Sequence, residues 1–310
     1  MMIPIYKHSD AGLMQLNEPV DGCWINVINP SPEEIQWLHG LDVPKDYITY
    51  SLDIDERART ERENGETLIV LRIPHFQGQA VDVPYSTIPM GIIISSHYLI
   101  TICRNENEIL CDFASGRMRN LSTAKRHRFV LRLLLTTASR YLNYLREINK
   151  LVDVLEDQLQ QSTRNKEVME LLKYQKSLTY FTTALKSNEL MMERLQRSQL
   201  FKTFPEDEDL LEDVLTENQQ AIEMTNISSN ILSSMMDAFA SIISNNLNVV
   251  MKFLAAITIV LSLPTMVASF FGMNVGLPFA NISHAFGIVM GISLLISLGV
   301  AYVFYKRDWF

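Results

Sequence analysis

The sequence predicts an α+β domain, a mixed sheet with covering helices, followed by one long stalk helix and two C-terminal transmembrane helices. Three observations carry this prediction. Up to about residue 103, β-prone arms alternate with turn signals. From about residue 105, apolar residues recur at three- and four-residue steps. Between Asn246 and Tyr305, Lys252 is the only Asp, Glu, Lys or Arg.

The α/β part is expected over residues 1–104. Its first residues, MMIPIYKHSDAG, lack an apolar run after a basic start and do not read as a signal peptide. Cys23 to Pro30 has strand composition. Ser31 and Glu34 form a capping-box pattern that starts a helix. Asp42 to Ile54 reads as a second helical piece. Two β-prone arms flank Asn64-Gly65, a strong hairpin signal. Thr87 to Cys103 forms another hairpin around Ser95-Ser96-His97.

Long antiparallel helices are expected over 105–205. Arg126 to Gln161 and Glu167 to Gln199 carry apolar stripes, and the polar segment 162–165 joins them. Each should bury its stripe against the other. Phe204-Pro205 breaks the chain, and Glu206-Asp207-Glu208-Asp209 opens a third helix with acid at its positive end. This acidic run reads as a solvated helix start rather than a cation site.

The third helix, 206–271, meets no proline before Pro264 and no glycine before Gly272. Some 65 residues at ~1.5 Å each span roughly 100 Å, too long for a compact globule of this size. A lone stalk would expose Leu215, Ile222, Ile231, Met235, Phe239 and Ile242, so it should bundle with copies of itself. A polar stripe follows the same helix. Asn226, Asn230, Ser234, Asp237, Ser241, Asn245 and Asn248 share one face, and the rhythm continues through Met251, Ala255, Thr258, Ser262, Thr265 and Ser269. In a membrane helix such a face either lines water or packs against another helix through small residues.

Val249 to Phe271 and His284 to Tyr305 are each long enough for a hydrocarbon core of about 30 Å. Two spans cannot enclose a pathway, so a pore would need several subunits. Lys252 lies at the start of the first span, and the basic tail 306–310, with Lys306 and Arg307, closes the second. The intervening loop 275–283 has no charge. Both termini are therefore expected in the cytoplasm and the loop outside, with Trp309 and Phe310 as interfacial anchors. The charge balance over the whole chain is −8, and Lys252, Lys306, Arg307 and Asp308 are the only charged residues beyond 245. The first 245 residues are therefore acidic, which argues against a nucleic-acid-binding module. Cys23, Cys103 and Cys111 show no disulfide framework and no zinc spacing, and read as reduced and mostly buried. No phosphate-binding glycine loop, nucleophile elbow or His/Cys cluster is present, so no catalytic residue and no cofactor are expected.

Gly272-Met273-Asn274 ends the first span, and Tyr-Lys-Arg-Asp-Trp-Phe closes the chain. With the long preceding helix and the acidic N-terminal domain, this ending resembles the CorA family of divalent-cation transporters. The resemblance covers the whole architecture and is closest from about Asp213 onward. It implies a homopentamer in the cell membrane, with a funnel-shaped cytosolic domain and a central pore built from the first spans. It implies inward transport of Mg²⁺, often with Co²⁺ or Ni²⁺ tolerated. The pore-facing residues implied are Asn248, Met251, Leu254 or Ala255, Thr258, Ser262 and Thr265, with Gly272, Met273 and Asn274 at the outer mouth. Met251 and Leu254 would form the gate. The resemblance also implies a cytosolic Mg²⁺ sensor between subunits, at Asp213 with Asp53 and Asp55 as partners; the alternative for these acids is a solvated surface role.

This sequence departs from the family in two places. The outer loop lacks acidic residues, and Ser262 stands where some relatives carry a bulky apolar side chain. His284 reads as interfacial rather than as a metal ligand. A ZntB-like zinc transporter shares the architecture but usually varies the middle residue of the tripeptide, so Met273 favours magnesium. A membrane-anchored enzyme has no reason to keep a polar stripe through its first span, and a non-conducting oligomer is the remaining class.

Overall fold

The computed structural model describes residues 3–9, 12–63, 65–116, 118, 121–161, 165–198, 201, 205–273, 276, 284–307 and 309. They divide into two compact units, Met1–Met235 and Met236–Phe310.

Among the described residues the first unit is built on seven strands: β1 (Ile5–Ser9), β2 (Gly12–Leu16), β3 (Trp24–Ile28), β4 (Arg59–Glu63), β5 (Glu66–Phe76), β6 (Tyr85–Ile94) and β7 (Leu99–Cys103). They form one sheet in the order β2-β1-β3-β7-β6-β5-β4. Only β3 and β7 run parallel; the other pairs are antiparallel. The sheet is therefore mixed, as expected. Both predicted hairpins form. Gly65 turns between β4 and β5 with φ of 90°, a left-handed value that glycine adopts without a Cβ clash; Asn64 lies outside the described residues. The β1–β2 hairpin was not predicted.

Helices cover both faces of the sheet. On one side lie α1 (Pro32–His39) and α2 (Lys45–Leu52). The predicted capping box forms: Ser31 Oγ accepts from Glu34 N, and Glu34 Oε2 accepts from Ser31 N at 2.8 Å. On this side Leu38, Tyr47 and Ile48 share a core with Leu68, Val70, Ile93, Ile100 and Ile102. On the other side lie α3 (Glu108–Ala114), α4 (Arg126–Gln161), α5 (Asn165–Arg197) and the start of α6 (Pro205–Phe271). Their Phe113, Phe129, Leu133, Met192, Leu195 and Val214 share the second core with Ile69, Leu71, Ile73, Met90 and Ile92. Alternate residues of β5 thus feed opposite cores. That is why β5, β6 and β7 read as near-continuous apolar runs.

Three expectations need correction. First, α4 and α5 do not bury their stripes only against each other; both also pack on the sheet, whose strands contribute to the same second core. Second, α6 is not a bare stalk. Leu210, Leu211 and Val214 belong to the domain core, Leu215 packs against it, and Ile222 and Phe239 are buried. Of the six apolar residues that a lone stalk would expose, Ile231 and Ile242 are exposed in the single chain, and Met235 is half-buried. Third, the acidic start of α6 is not simply solvated. Asp207 is buried and accepts from Arg128 Nε at 2.6 Å, while Glu206 pairs with Arg128 Nη2 at 2.8 Å. Of the three cysteines, Cys23 and Cys103 are buried and Cys111 is exposed.

The second unit contains the remainder of α6 and α7 (Ala285–Lys306). Among the described residues two helices are long and apolar enough to cross a membrane, namely α6 and α7. Helix α6 continues through Pro264 to Phe271. Proline removes one N–H from the ladder, and nearby hydroxyls turn back onto the helix carbonyls at this level. Beyond α7, Trp309 stacks on Phe304 at 5.0 Å between ring centroids.

Candidate functional site

The polar stripe of α6 is open along its whole length within one chain. Asn226, Asn230, Ser234, Asp237, Ser241, Asn245 and Asn248 are exposed, and so are Met251, Ala255, Thr258, Ser262, Thr265 and Ser269. The two residues expected at the gate, Met251 and Leu254, are 57% and 52% exposed. The covered positions fall on the opposite side. Ala256 is fully buried, and Ile257, Val260, Leu263, Pro264 and Val267 are half-buried. On α7 the buried positions are Ser293 and Ser297, one turn apart. Small residues are the usual means of bringing membrane helices close. Packing within the chain therefore uses the Ala256 face and leaves the Thr258–Ser262–Thr265 face free.

The hydroxyls on the free face have a defined polarity. Thr258 Oγ1 donates to Leu254 O at 2.7 Å, Ser262 Oγ to Ile259 O at 2.8 Å, and Thr265 Oγ1 to Leu261 O at 3.4 Å. Each hydroxyl proton is spent on the helix backbone, so each oxygen presents lone pairs outward. An array of acceptors suits a cation, or the water around one.

The helix closes with a tight turn. Gly272 N donates to Ala268 O at 3.0 Å, and Met273 N to Phe270 O at 3.3 Å. A Cβ built on Gly272 would meet Ala268 O at 3.4 Å, an ordinary contact. Gly272 is also absent from the residues of positive φ. Neither backbone conformation nor local space demands glycine there. Met273 is exposed, and Asn274 lies outside the described residues.

The acids expected to sense cation are placed on the first unit. Asp213 is exposed on α6, and Asp53 and Asp55 are exposed just after α2. Asp53 Oδ1 accepts from Asp55 N at 3.1 Å, which closes a local turn. The segment is braced by Arg72, whose guanidinium donates to Ile54 O, Glu56 O and Thr87 O. Burial holds the Arg72 pKa below its ordinary value, and Tyr141 and Asp55 oppose that shift. Among the described residues of one chain, no group of three or more His, Cys, Asp or Glu could hold a metal ion.

A model of the family described as CorA-like Mg²⁺ transporter protein matches residues 21–307. The chain belongs to this family. Among curated proteins, the cobalt/magnesium transport protein CorA of Methanocaldococcus jannaschii is 29% identical over 300 residues, covering 92% of this chain and 90% of that protein. The complete structure of the CorA magnesium transporter from Methanocaldococcus jannaschii superimposes with a TM-score of 0.86 at 23% identity, covering 100% of this chain and 99% of the other. The cytoplasmic domain of ZntB from Vibrio parahaemolyticus matches with a TM-score of 0.59 at 15% identity, covering 79% of this chain and 98% of that domain. The CorA fold accounts for the mixed sheet, the long helix and the apolar C-terminal helices together.

Two parts of this CorA-family chain were not predicted as contributors. The Ala256, Ser293 and Ser297 surfaces were not singled out, although serines four apart in an apolar span signal a packing face. Arg72 was missed because nothing in a strand sequence shows which carbonyls its guanidinium will reach.

Proposed function

We propose that this chain is one subunit of a homopentameric Mg²⁺ pathway that also tolerates Co²⁺ or Ni²⁺, with the α6 segments of the copies surrounding the pore. One observation carries the reading: the polar face of α6 stays open while the opposite face is covered. A membrane helix does not turn hydroxyls to lipid without cost, so the open face belongs against water or other copies. Family membership supports the cargo, as does the likeness to the cobalt/magnesium transport protein of Methanocaldococcus jannaschii.

In this reading both termini are cytoplasmic, and residues 272–283 form the outer mouth. Mg²⁺ gives up water reluctantly. A ring of Asn274 amide and Gly272 backbone carbonyls would hold the hydrated ion by hydrogen bonds, whereas a ring of carboxylates would hold it too tightly for release. Below the mouth, Thr265, Ser262 and Thr258 would accept hydrogen bonds from the ion's water. Asn248 and Ala255 lie on the same face, and Met251 and Leu254 would form an apolar constriction that closes by dewetting. Asp213, with Asp53 and Asp55 from a neighbouring subunit, would bind cytosolic Mg²⁺ and hold the closed state.

The test is uptake by the full chain in liposomes, with Mg²⁺ and Zn²⁺ measured separately, with and without a proton gradient. Mg²⁺ entry that Asn274→Ala abolishes, in a protein that still assembles, is the expected result. Zn²⁺ entry driven by the gradient, with no Mg²⁺ entry, would overturn the assignment and favour a ZntB-like transporter.

A further inference from the structure

One cleft in the first unit serves neither the pore nor the sensor. It has a volume of about 810 Å³ and is built from four places in the chain: the β4–β5 hairpin, the β6–β7 turn, the first turn of α4 and the first turn of α6. Small-molecule sites commonly measure ~300–1,000 Å³. The cationic lining is Arg62, Lys125, Arg126 and Arg128, with His127 among them; the anionic lining is Glu206 and Asp207. Cations thus outnumber acids on this wall, in a chain whose net charge is −8.

The arrangement breaks a local rule. The N-terminal end of a helix is its positive end and prefers acidic side chains, yet α4 opens on Arg126-His127-Arg128, with Lys125 just before it. Departures of this kind are expected where they are compensated or where they serve a function. Compensation accounts for part of the cluster. Arg128 is held by Glu206 and Asp207, and Arg126 donates to the Ser95 carbonyl. It does not extend to Arg62 and Lys125. Both are exposed, come from different elements, and have no carboxylate within ion-pair distance among the described residues. Ser96 and Thr67 add hydroxyls to the same wall. The shape is that of a receptor for negative charge, with guanidinium and ammonium groups converging from separate elements.

We propose that this cleft binds a small phosphate-bearing anion of two or more charges, of nucleoside di- or triphosphate size, between Arg62 and Lys125. The ligand would lie beside Arg128, the cation that the first turn of α6 already uses.

Calorimetry on the full chain in detergent, in Mg²⁺-free buffer with chelator, tests this with ATP, inorganic triphosphate and adenosine as separate probes. ATP and triphosphate should bind and adenosine should not. Binding of ATP alone identifies a nucleotide site, and equal binding of both identifies a polyphosphate site. Arg62→Glu and Lys125→Glu should each weaken binding roughly tenfold or more, and raised salt should weaken it further. Both side chains are exposed, so each variant should keep the thermal midpoint of the parent. Failure of ATP and triphosphate to bind would overturn the proposal. So would unchanged affinity in both charge reversals, or adenosine binding as well as ATP.

Discussion

At the scale of single residues, side chains in this chain are decided by close approaches that no local pattern reveals. Gly91 is the sharpest case. It sits in the middle of β6, where glycine is normally unfavourable, but a Cβ there would lie 1.7 Å from Ser51 Oγ and 2.5 Å from Ser51 Cβ. Ser51 itself is fully buried and bonded to Tyr47 O at 2.6 Å, so it cannot swing away freely. Gly91→Ala should therefore force α2 off the sheet and destabilise the protein by about 1–3 kcal/mol, read as a lower thermal midpoint; an unchanged midpoint would mean that α2 yields easily. The sequence shows a glycine in a strand and no more. Asp207 makes the same point for charge. Its position in an acidic run predicts solvation, but the fold places Arg128 against it and buries it.

At the scale of elements, long helices were legible and edges were not. The bounds of α4 follow from apolar spacing alone, because a stripe of 36 residues repeats its period many times. The hairpins at Gly65 and at Ser95-Ser96-His97 were legible through their turn residues. The β1–β2 hairpin was missed because its five-residue strands are only partly covered and show no clean alternation. What protects the sheet where β4 begins was also invisible. The β4–β5 pairing extends only as far as Arg59 and Val70. At Arg72 the open edge of β5 is met by Asn188 of α5, which accepts from Arg72 N at 2.9 Å and donates to Arg72 O at 2.8 Å. A side-chain amide thus stands in for a strand. Asn188→Ala should leave a buried backbone N–H unpaired and cost about 1–3 kcal/mol. Asn188→Asp keeps the acceptor but buries a carboxylate whose second oxygen would face the Arg72 carbonyl, so it should cost more than Asn188→Ala. Thermal unfolding of the two variants checks this, and equal loss in both would remove the pairing role.

At the scale of the whole molecule, one chain is a fraction of the proposed machine. The open polar face of α6 and the exposed Asp213, Asp53 and Asp55 are the surfaces that the proposed assembly would use. If filled sites bridge like charges between subunits, losing one carboxylate should loosen the closed state. Asp213→Ala should then raise Mg²⁺ flux several-fold at millimolar internal Mg²⁺, while flux at low internal Mg²⁺ stays near that of the parent. Flux measured against internal Mg²⁺ in liposomes separates these conditions. An unaltered dependence would reduce Asp213 to a solvated acid.

The sequence by itself determined the apolar spans, the long uninterrupted helix, the polar stripe, the tripeptide that ends the first span and, through them, the family. These are all periodic or local properties, written in residue spacing and composition. Only the tertiary structure decided which face of α6 is covered and which is open, that its first turns belong to the domain core, and that Lys125 to Arg128 meet Arg62 across a cleft. Those depend on distant segments meeting in space. The tripeptide and the stripe fit a pore or packing between copies; the burial of Ala256 on one side and the exposure of Thr258, Ser262 and Thr265 on the other leave the second face to water or to other copies, because packing within the chain already has its own face.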